Sequence, residues 1–288
     1  KNKKGKRMNK IKIIVCGARG KMGSLILKLA GEKENFLVRG IVENKNHPDI
    51  GKKIDGYILS DNLSNISTGK EIVIDFTVST ATEEFLDICE NKGNPIVIGT
   101  TGLSEKQLNS IKNAGKKIPV FFSPNMSLGV NLFLKIIEFS SSLFKNYEVE
   151  IKEIHHHFKK DAPSGTAKKI AEIICEKTGR NFEEDIKYGR NGLTGERKFK
   201  EIGIHSLRLG DIVGEHYIYW GGKGEVIEFS HRCYNRENFA EGALVAAEFL
   251  SKKGKGFYTM DDLLKEVFNV WYKRKNEENT TIPFCRNW

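Results

Sequence analysis

Apolar positions along residues 11–125 switch repeatedly between two spacings. Ile11–Val15 is a short continuous run that reads as a buried strand, and Met22, Leu25, Ile26 and Leu29 then recur at helical spacing. Leu37–Val42, Ile72–Phe76, Pro95–Gly99 and Pro119–Phe122 are further strand-like runs. Between them one helix carries Phe85, Leu86 and Cys89, and Ser104-x-x-Gln107 is a capping box that opens another. Strands alternating with helices in units of about 25–30 residues predict an α/β fold with a doubly wound parallel sheet.

The pattern changes after Gly129. A helical stripe of Leu132, Phe133, Ile136, Ile137 and Phe139 leads into Tyr147–Ile154, where Tyr147, Val149 and Ile151 alternate as on a half-exposed strand. A helix follows from Thr166, with Ile170, Ala171 and Ile174 on one face. Ile202–Leu209, Glu215–Trp220 and Glu225–His231 read as three more strands. The first domain is therefore expected over residues 8–126. A second, α+β domain with an open mixed sheet backed by helices is expected over 127–236. Phe239–Leu250 and Thr259–Val270 return to helical spacing, and the polar extension 271–288 closes the chain.

Composition narrows the class. Of 288 residues 39% are hydrophobic and 29% charged, a chain long enough to build a core without covalent staples. The five cysteines, Cys16, Cys89, Cys175, Cys233 and Cys285, are scattered without a C-x-x-C pair. That spacing argues against a disulfide framework or a cysteine zinc site and suits the reducing cytoplasm. No apolar stretch approaches the ~18 residues of a membrane span, and no signal-peptide pattern opens the chain. The net charge of +10 is uneven: residues 1–7 carry five positive charges and no negative one, leaving +5 for the rest. Those residues read as a solvated leader ahead of Met8, with a basic anchor for nucleic acid or membrane as the alternative. The remaining excess suits an enzyme whose ligands are anionic small molecules, not a nucleic-acid or membrane partner.

Two segments carry candidate chemistry. Ile11–Val15 runs into Gly17-Ala18-Arg19-Gly20-Lys21-Met22-Gly23, where the helix starts. A strand feeding a glycine-rich turn and a helix N-terminus is an anion site, because free N–H groups and the helix dipole face a pyrophosphate. The spacing is G-x-x-G-x-x-G, one residue longer than the common dinucleotide fingerprint. Glu43, at the end of the second strand, stands where an acid accepts from ribose hydroxyls. An acid there favours NADH. Asn44 and Lys45 follow it, and Lys45 offers a 2′-phosphate only a point charge, so NADH with some NADPH use is expected. A tight turn without ligand is the alternative.

The second segment is Glu153–Thr166, with His155, His156, His157, Lys159, Ser164 and Gly165. Neighbouring side chains on a strand point to opposite faces, so three adjacent histidines cannot converge on one metal ion, and no metal site is expected. His155 and Lys159 instead offer a proton donor beside an electrostatic partner. Ser164 is an N-cap candidate, and the helix start behind it can receive a substrate carboxylate. A polar surface loop is the alternative.

Taken in order, these motifs resemble the dihydrodipicolinate reductase family, the 4-hydroxy-tetrahydrodipicolinate reductases of the diaminopimelate route to lysine. The resemblance runs from Val15–Gly23 through Asp75-Phe76-Thr77, Gly99–Gly102, Asn125–Asn131 and Glu153–Ala167. It continues through Thr194–Arg197, Arg208–His216 and Phe239–Ala243. It implies a Rossmann-like cofactor domain completed by residues 237–270, and a substrate-binding and oligomerisation domain. It implies that Gly17, Ala18, Arg19, Gly20, Lys21, Met22 and Glu43 bind the adenosine half of NADH or NADPH. Phe76, Thr77, Gly99, Thr100, Thr101, Ser123, Pro124, Asn125 and Met126 would complete the cofactor site towards the nicotinamide. His155 would exchange the proton and Lys159 supply a second one. His156, Gly165 and Thr166 would hold the carboxylates of a small dicarboxylate heterocycle, with Ser164 and Thr101 supporting. A homotetramer joined through the sheet of residues 202–231, and two domains that close on a hinge, are also implied. A related dehydrogenase acting on another amino-acid-like substrate, and a nucleotide-sensing or nucleic-acid-binding module, are the competing readings.

Overall fold

A computed structural model of the chain describes residues 10–267. The basic leader 1–7, the extension 271–288 and the end of the helix expected over 259–270 lie outside the described residues. Two compact units result: one runs to Met126 and resumes at Phe239, and the other spans Ser127–Asn238.

The first unit opens with β1 (Ile11–Cys16), α1 (Lys21–Glu32), β2 (Phe36–Val42), β3 (Lys53–Ile54), β4 (Tyr57–Ser60) and α2 (Leu63–Ile66). It continues through β5 (Ile72–Asp75), α3 (Ser79–Lys92), β6 (Ile96–Ile98), α4 (Glu105–Ala114) and β7 (Pro119–Phe122). Ile13–Cys16, Ile72–Asp75 and Ile96–Ile98 are buried at every position, as parallel strands covered on both faces must be. The capping box forms as the sequence predicts: Ser104 accepts from the Gln107 N–H, and the Gln107 side chain accepts from the Ser104 N–H.

In the second unit α5 (Leu128–Leu143) precedes β8 (Glu148–His155), α6 (Gly165–Thr178), α7 (Phe182–Asp185) and β9 (Ile186–Tyr188). Then come β10 (Ile202–Arg208), β11 (Gly214–Gly222) and β12 (Glu225–Cys233). Its sheet runs β12-β11-β8-β10-β9 and is mixed: β10 lies parallel to β8 and β9, and β11 antiparallel to β8 and β12. One face packs on α5 and α6 through Phe133, Ile137, Ile170 and Ile174 against Val149, Ile151, Ile204 and Ile218.

The chain returns to the first unit through α8 (Glu237–Leu250), β13 (Gly256–Tyr258) and a helical turn at residues 260–267. The first sheet is then complete in the order β13-β7-β6-β5-β1-β2-β4-β3, parallel except where β3 meets β4. α8 buries Ala240, Ala243, Leu244, Ala247 and Leu250 at helical spacing.

Candidate functional site

Each unit holds one of the two groups of residues singled out from the sequence. In the first, Gly17 turns the chain out of β1 with φ +77°, and a Cβ there would lie 2.8 Å from the Phe76 carbonyl oxygen. Gly23 lets α1 rest directly on that turn, since a Cβ would meet the Gly17 oxygen at 2.0 Å. The turn's own donors are largely engaged. The N–H groups of Gly17 and Ala18 both reach the Val42 carbonyl, at 3.0 and 3.1 Å, and that of Gly20 reaches Gly17 O at 3.0 Å. The Arg19 N–H donates to Glu43 Oε2 at 2.9 Å, and the Asn44 N–H to Glu43 Oε1 at 3.0 Å. Donors open to a phosphate are therefore those of the first turn of α1, from Lys21 on, because the cap residue Gly20 has no side chain to satisfy them.

Gly17, Arg19, Gly20, Glu43, Phe76 and Thr77 line a cleft of about 740 Å³, with Asn44 and Lys45 beside them. Met22, Gly99, Thr100, Thr101, Pro124, Asn125 and Met126 line a second cleft of about 310 Å³, where Phe76 and Thr77 recur. Three expected residues line neither. Ala18 is buried under the turn, Lys21 is exposed at the start of α1, and Ser123 is buried with its hydroxyl donating to Asn125 O at 2.7 Å. The sequence reading missed His47, Asp61 and Glu84 in the larger cleft and Phe239 in the smaller.

It also missed Asp75, which is fully buried at the end of β5. Its carboxylate accepts from Thr77 Oγ1 and Thr82 Oγ1, both at 2.5 Å, and from Thr100 Oγ1 at 3.2 Å. One acid thus ties together Thr77 and Thr100, which both line the smaller cleft. Burial raises its pKa, and the bonds from Thr77, Thr82 and Thr100 work against that rise.

A dinucleotide fits this turn: its donors point from a helix start, its acid is held in place, and its glycines admit a close backbone approach. In Gly23→Ala the added methyl cannot be relieved by a side-chain shift, because its neighbours are backbone atoms. Dinucleotide affinity should fall by at least about tenfold, read by nicotinamide-fluorescence titration.

In the second unit β8 alternates strictly, burying Val149, Ile151, Glu153 and His155 on one face. The first two belong to the apolar core, and the last two bring an acid and an imidazole onto the same face. Glu153 is fully buried and collects four donors. His155 Nδ1 lies 2.5 Å away, Arg208 binds both carboxylate oxygens at 2.7 and 2.9 Å, and the Ser164 N–H donates at 3.2 Å. Burial alone would raise the Glu153 pKa, but the bonds from His155 and Arg208 outweigh it and bring it down to about 2. An ionised Glu153 accepting at Nδ1 leaves Nε2 as the one nitrogen of the His155 ring able to exchange a proton with another group.

Register brings these groups together. Arg208 is the partner of His155 across β10 and β8, and His216 is the partner of Glu153 on β11 and of His231 on β12. His216 Nε2 lies 3.1 Å from Ser164 Oγ, which caps α6 by accepting from the Ala167 N–H at 3.2 Å. Arg208 and His216 were unassigned from the sequence, as was the role of Glu153. The signal available was a charged residue on the apolar face of an alternating strand, which needs a buried partner.

The remaining expected residues follow the strand. β8 ends at His155, so the strand argument against metal covers only the first of the three histidines. The rings still diverge. His155 meets Glu153, His157 Nδ1 lies 2.7 Å from Gly210 O, and His156 Nδ1 is buried without a hydrogen-bond partner. Among the described residues there is no cluster of histidine, cysteine and carboxylate suited to a metal ion. Partial burial, then Arg236, His155 and Lys159, push the His156 pKa below its ordinary value. Lys159 Nζ pairs with Asp161 at 2.8 Å, and the exposed Gly165 and half-buried Thr166 open α6 behind Ser164. Thr101 belongs to the first unit.

Known proteins match along nearly all of this span. Residues 11–126 match the family described as dihydrodipicolinate reductase, N-terminus, and residues 129–264 its C-terminus. A 4-hydroxy-tetrahydrodipicolinate reductase of Syntrophus aciditrophicus is 41% identical over 263 residues, covering 88% of this chain and 98% of that protein. One from Methanocaldococcus jannaschii is 42% identical over 268 residues, covering 88% and 97%. Among solved structures, a dipicolinate-bound dihydrodipicolinate reductase from Paenisporosarcina sp. TG-14 superposes with a TM-score of 0.72 at 27% identity, covering 87% of this chain and 97% of that one.

Proposed function

The chain belongs to the dihydrodipicolinate reductase family, and from that membership and the two half-sites we infer that it reduces 4-hydroxy-tetrahydrodipicolinate with NAD(P)H, in the diaminopimelate route to lysine. The single observation that carries the chemistry is the buried Glu153, with His155 on one oxygen and Arg208 across both. When bound, the reduced nicotinamide supplies the hydride that replaces the substrate's 4-hydroxyl. Everything else falls to the protein. The first unit is the cofactor domain, with the α1 N-terminus on the pyrophosphate and Glu43 on a ribose. The second is the substrate domain. Loss of the hydroxyl as water consumes a proton, and His155, oriented by Glu153, and Lys159 are its donors. Two substrate carboxylates meet His156, Ser164 and the N–H groups of Gly165 and Thr166, an arrangement of fixed donors that needs no reorganisation during reaction.

NADH is the preferred cofactor, with NADPH also used. Glu43 supports the first statement, and Arg19, Lys45 and His47 in the same cleft support the second. The protein works in the cytoplasm as a homotetramer. Supporting the assembly are the face of the second sheet that turns away from α5 and α6 and the edge strand β12. There Leu207 and Val226 remain 38% and 66% exposed. Among the described residues, no helix is long and apolar enough to cross a membrane. The test is a coupled assay, with substrate generated in situ from pyruvate and aspartate semialdehyde by its synthase and with NADH and NADPH in parallel. Protein-dependent oxidation of both, faster for NADH, is the expected result. Oxidation of neither, by protein that still binds NADH, would overturn the assignment, and a faster NADPH rate would overturn the cofactor preference alone.

A further inference from the structure

His216 lies in the cross-strand row His231–His216–Glu153, between a half-buried His231 and a fully buried Glu153, and is only 4% exposed. Its Nε2 faces Ser164 Oγ at 3.1 Å, whereas its Nδ1 is buried with no hydrogen-bond partner. Burial, then His155 and His231 beside it, push its pKa down to about 3, so at neutral pH the ring carries one N–H. Two tautomers are available. With the hydrogen on Nδ1, an N–H donor is stranded in the interior and the Ser164 hydroxyl spends its proton on Nε2. With the hydrogen on Nε2, the stranded atom is a lone pair, the less costly of the two to bury. Ser164 Oγ then accepts twice, from His216 and from the Ala167 N–H, and its own proton is unspent. Among the described residues no other acceptor for that hydroxyl is present. We propose that His216 is a positioning residue: by donating from Nε2 it turns the Ser164 hydroxyl into a donor for a substrate carboxylate.

This rests on the reading of Ser164 as a carboxylate ligand. The hydroxyl joins the N–H groups of Gly165 and Thr166, so α6 presents donors only to an anionic group. Without His216, Ser164 could equally present a lone pair, which repels a carboxylate.

Long-range ¹H–¹⁵N spectra of the imidazoles in the full chain test the tautomer directly, with His216→Gln used to assign the signal. His216 should be the Nε2–H tautomer and remain neutral at pH 6, and an Nδ1–H signal would overturn the proposal whatever the kinetics. In the reductase assay His216→Phe should raise KM for the substrate roughly tenfold, with the loss on KM and not on kcat. Ser164→Ala should match it, and the double variant should be no worse than either. His216→Gln, which can still donate, should recover part of the loss. Additive effects would overturn the proposal. A normal KM in Ser164→Ala would instead remove Ser164 from the carboxylate site, and absent turnover in the parent protein would remove the reductase reading itself.

Discussion

Lys159→Ala should fold as the parent does and turn over its substrate 10²–10⁴-fold more slowly, about the loss expected when an acid–base group is removed. The variant separates chemistry from stability because the lysine is tied to the fold by so little. Its side chain is 21% exposed and makes one ion pair, with Asp161, itself 55% exposed. Such pairs contribute about 0–1 kcal/mol, so the thermal midpoint should barely move. Cofactor affinity should be unchanged, since Lys159 lines neither of the clefts beside the dinucleotide turn. The measurement is steady-state turnover beside a thermal melt and an NADH titration. Near-parental turnover would take Lys159 out of the mechanism.

Glu153→Gln has the opposite character and should damage stability and activity together. The substitution keeps the shape but removes the charge that faces Arg208, leaving a half-buried guanidinium without its counter-ion. Breaking a buried pair from one side typically costs ~3–5 kcal/mol. The pH dependence identifies the group. The folded pKa of about 2 lies below the ordinary glutamate value of about 4.3. Stability from Glu153 is therefore fully present above the unfolded value and is lost as pH falls from there through the folded one. Parent and variant melting curves should converge between about pH 4.5 and 2. Glu150, also near 2 through Arg190 and His205, keeps its own share of acid sensitivity in both proteins. Catalytically the glutamine amide can still accept at His155 Nδ1 but no longer stabilises an imidazolium, so kcat should drop ~10²-fold or more. A variant as stable as the parent at pH 7, with parallel acid curves, would show that Glu153 is not the ionised hub.

The parallel sheet is legible in the sequence because its central strands are buried on both faces, and continuous runs such as Ile72–Ile74 then have no competing explanation. The caps at Ser104 and Ser164 are equally legible, since each bond closes within three residues. What escaped is short or distant. Lys53–Ile54 and Tyr57–Ser60 are too brief for a period to register, and Gly256–Tyr258 becomes a strand only because Pro119–Phe121 lies beside it. The site divides in the same way. His155, Lys159 and Ser164 stand in one continuous segment. Arg208, 55 residues beyond Glu153, and His216, 52 beyond Ser164, arrive through strand register, which local pattern does not encode.

That alternation on β8 makes parity a functional quantity. Val149 and Ile151 anchor the strand in the core, while Glu153 and His155 continue the same face as an acid and an imidazole. Deleting or inserting one residue between these two pairs would leave the anchors in place and turn the acid and the imidazole to the opposite side, away from Arg208. A change of one residue here therefore reverses the face, and a change of two, which restores it, slides the acid about 6.6 Å along the strand from its partner on β10.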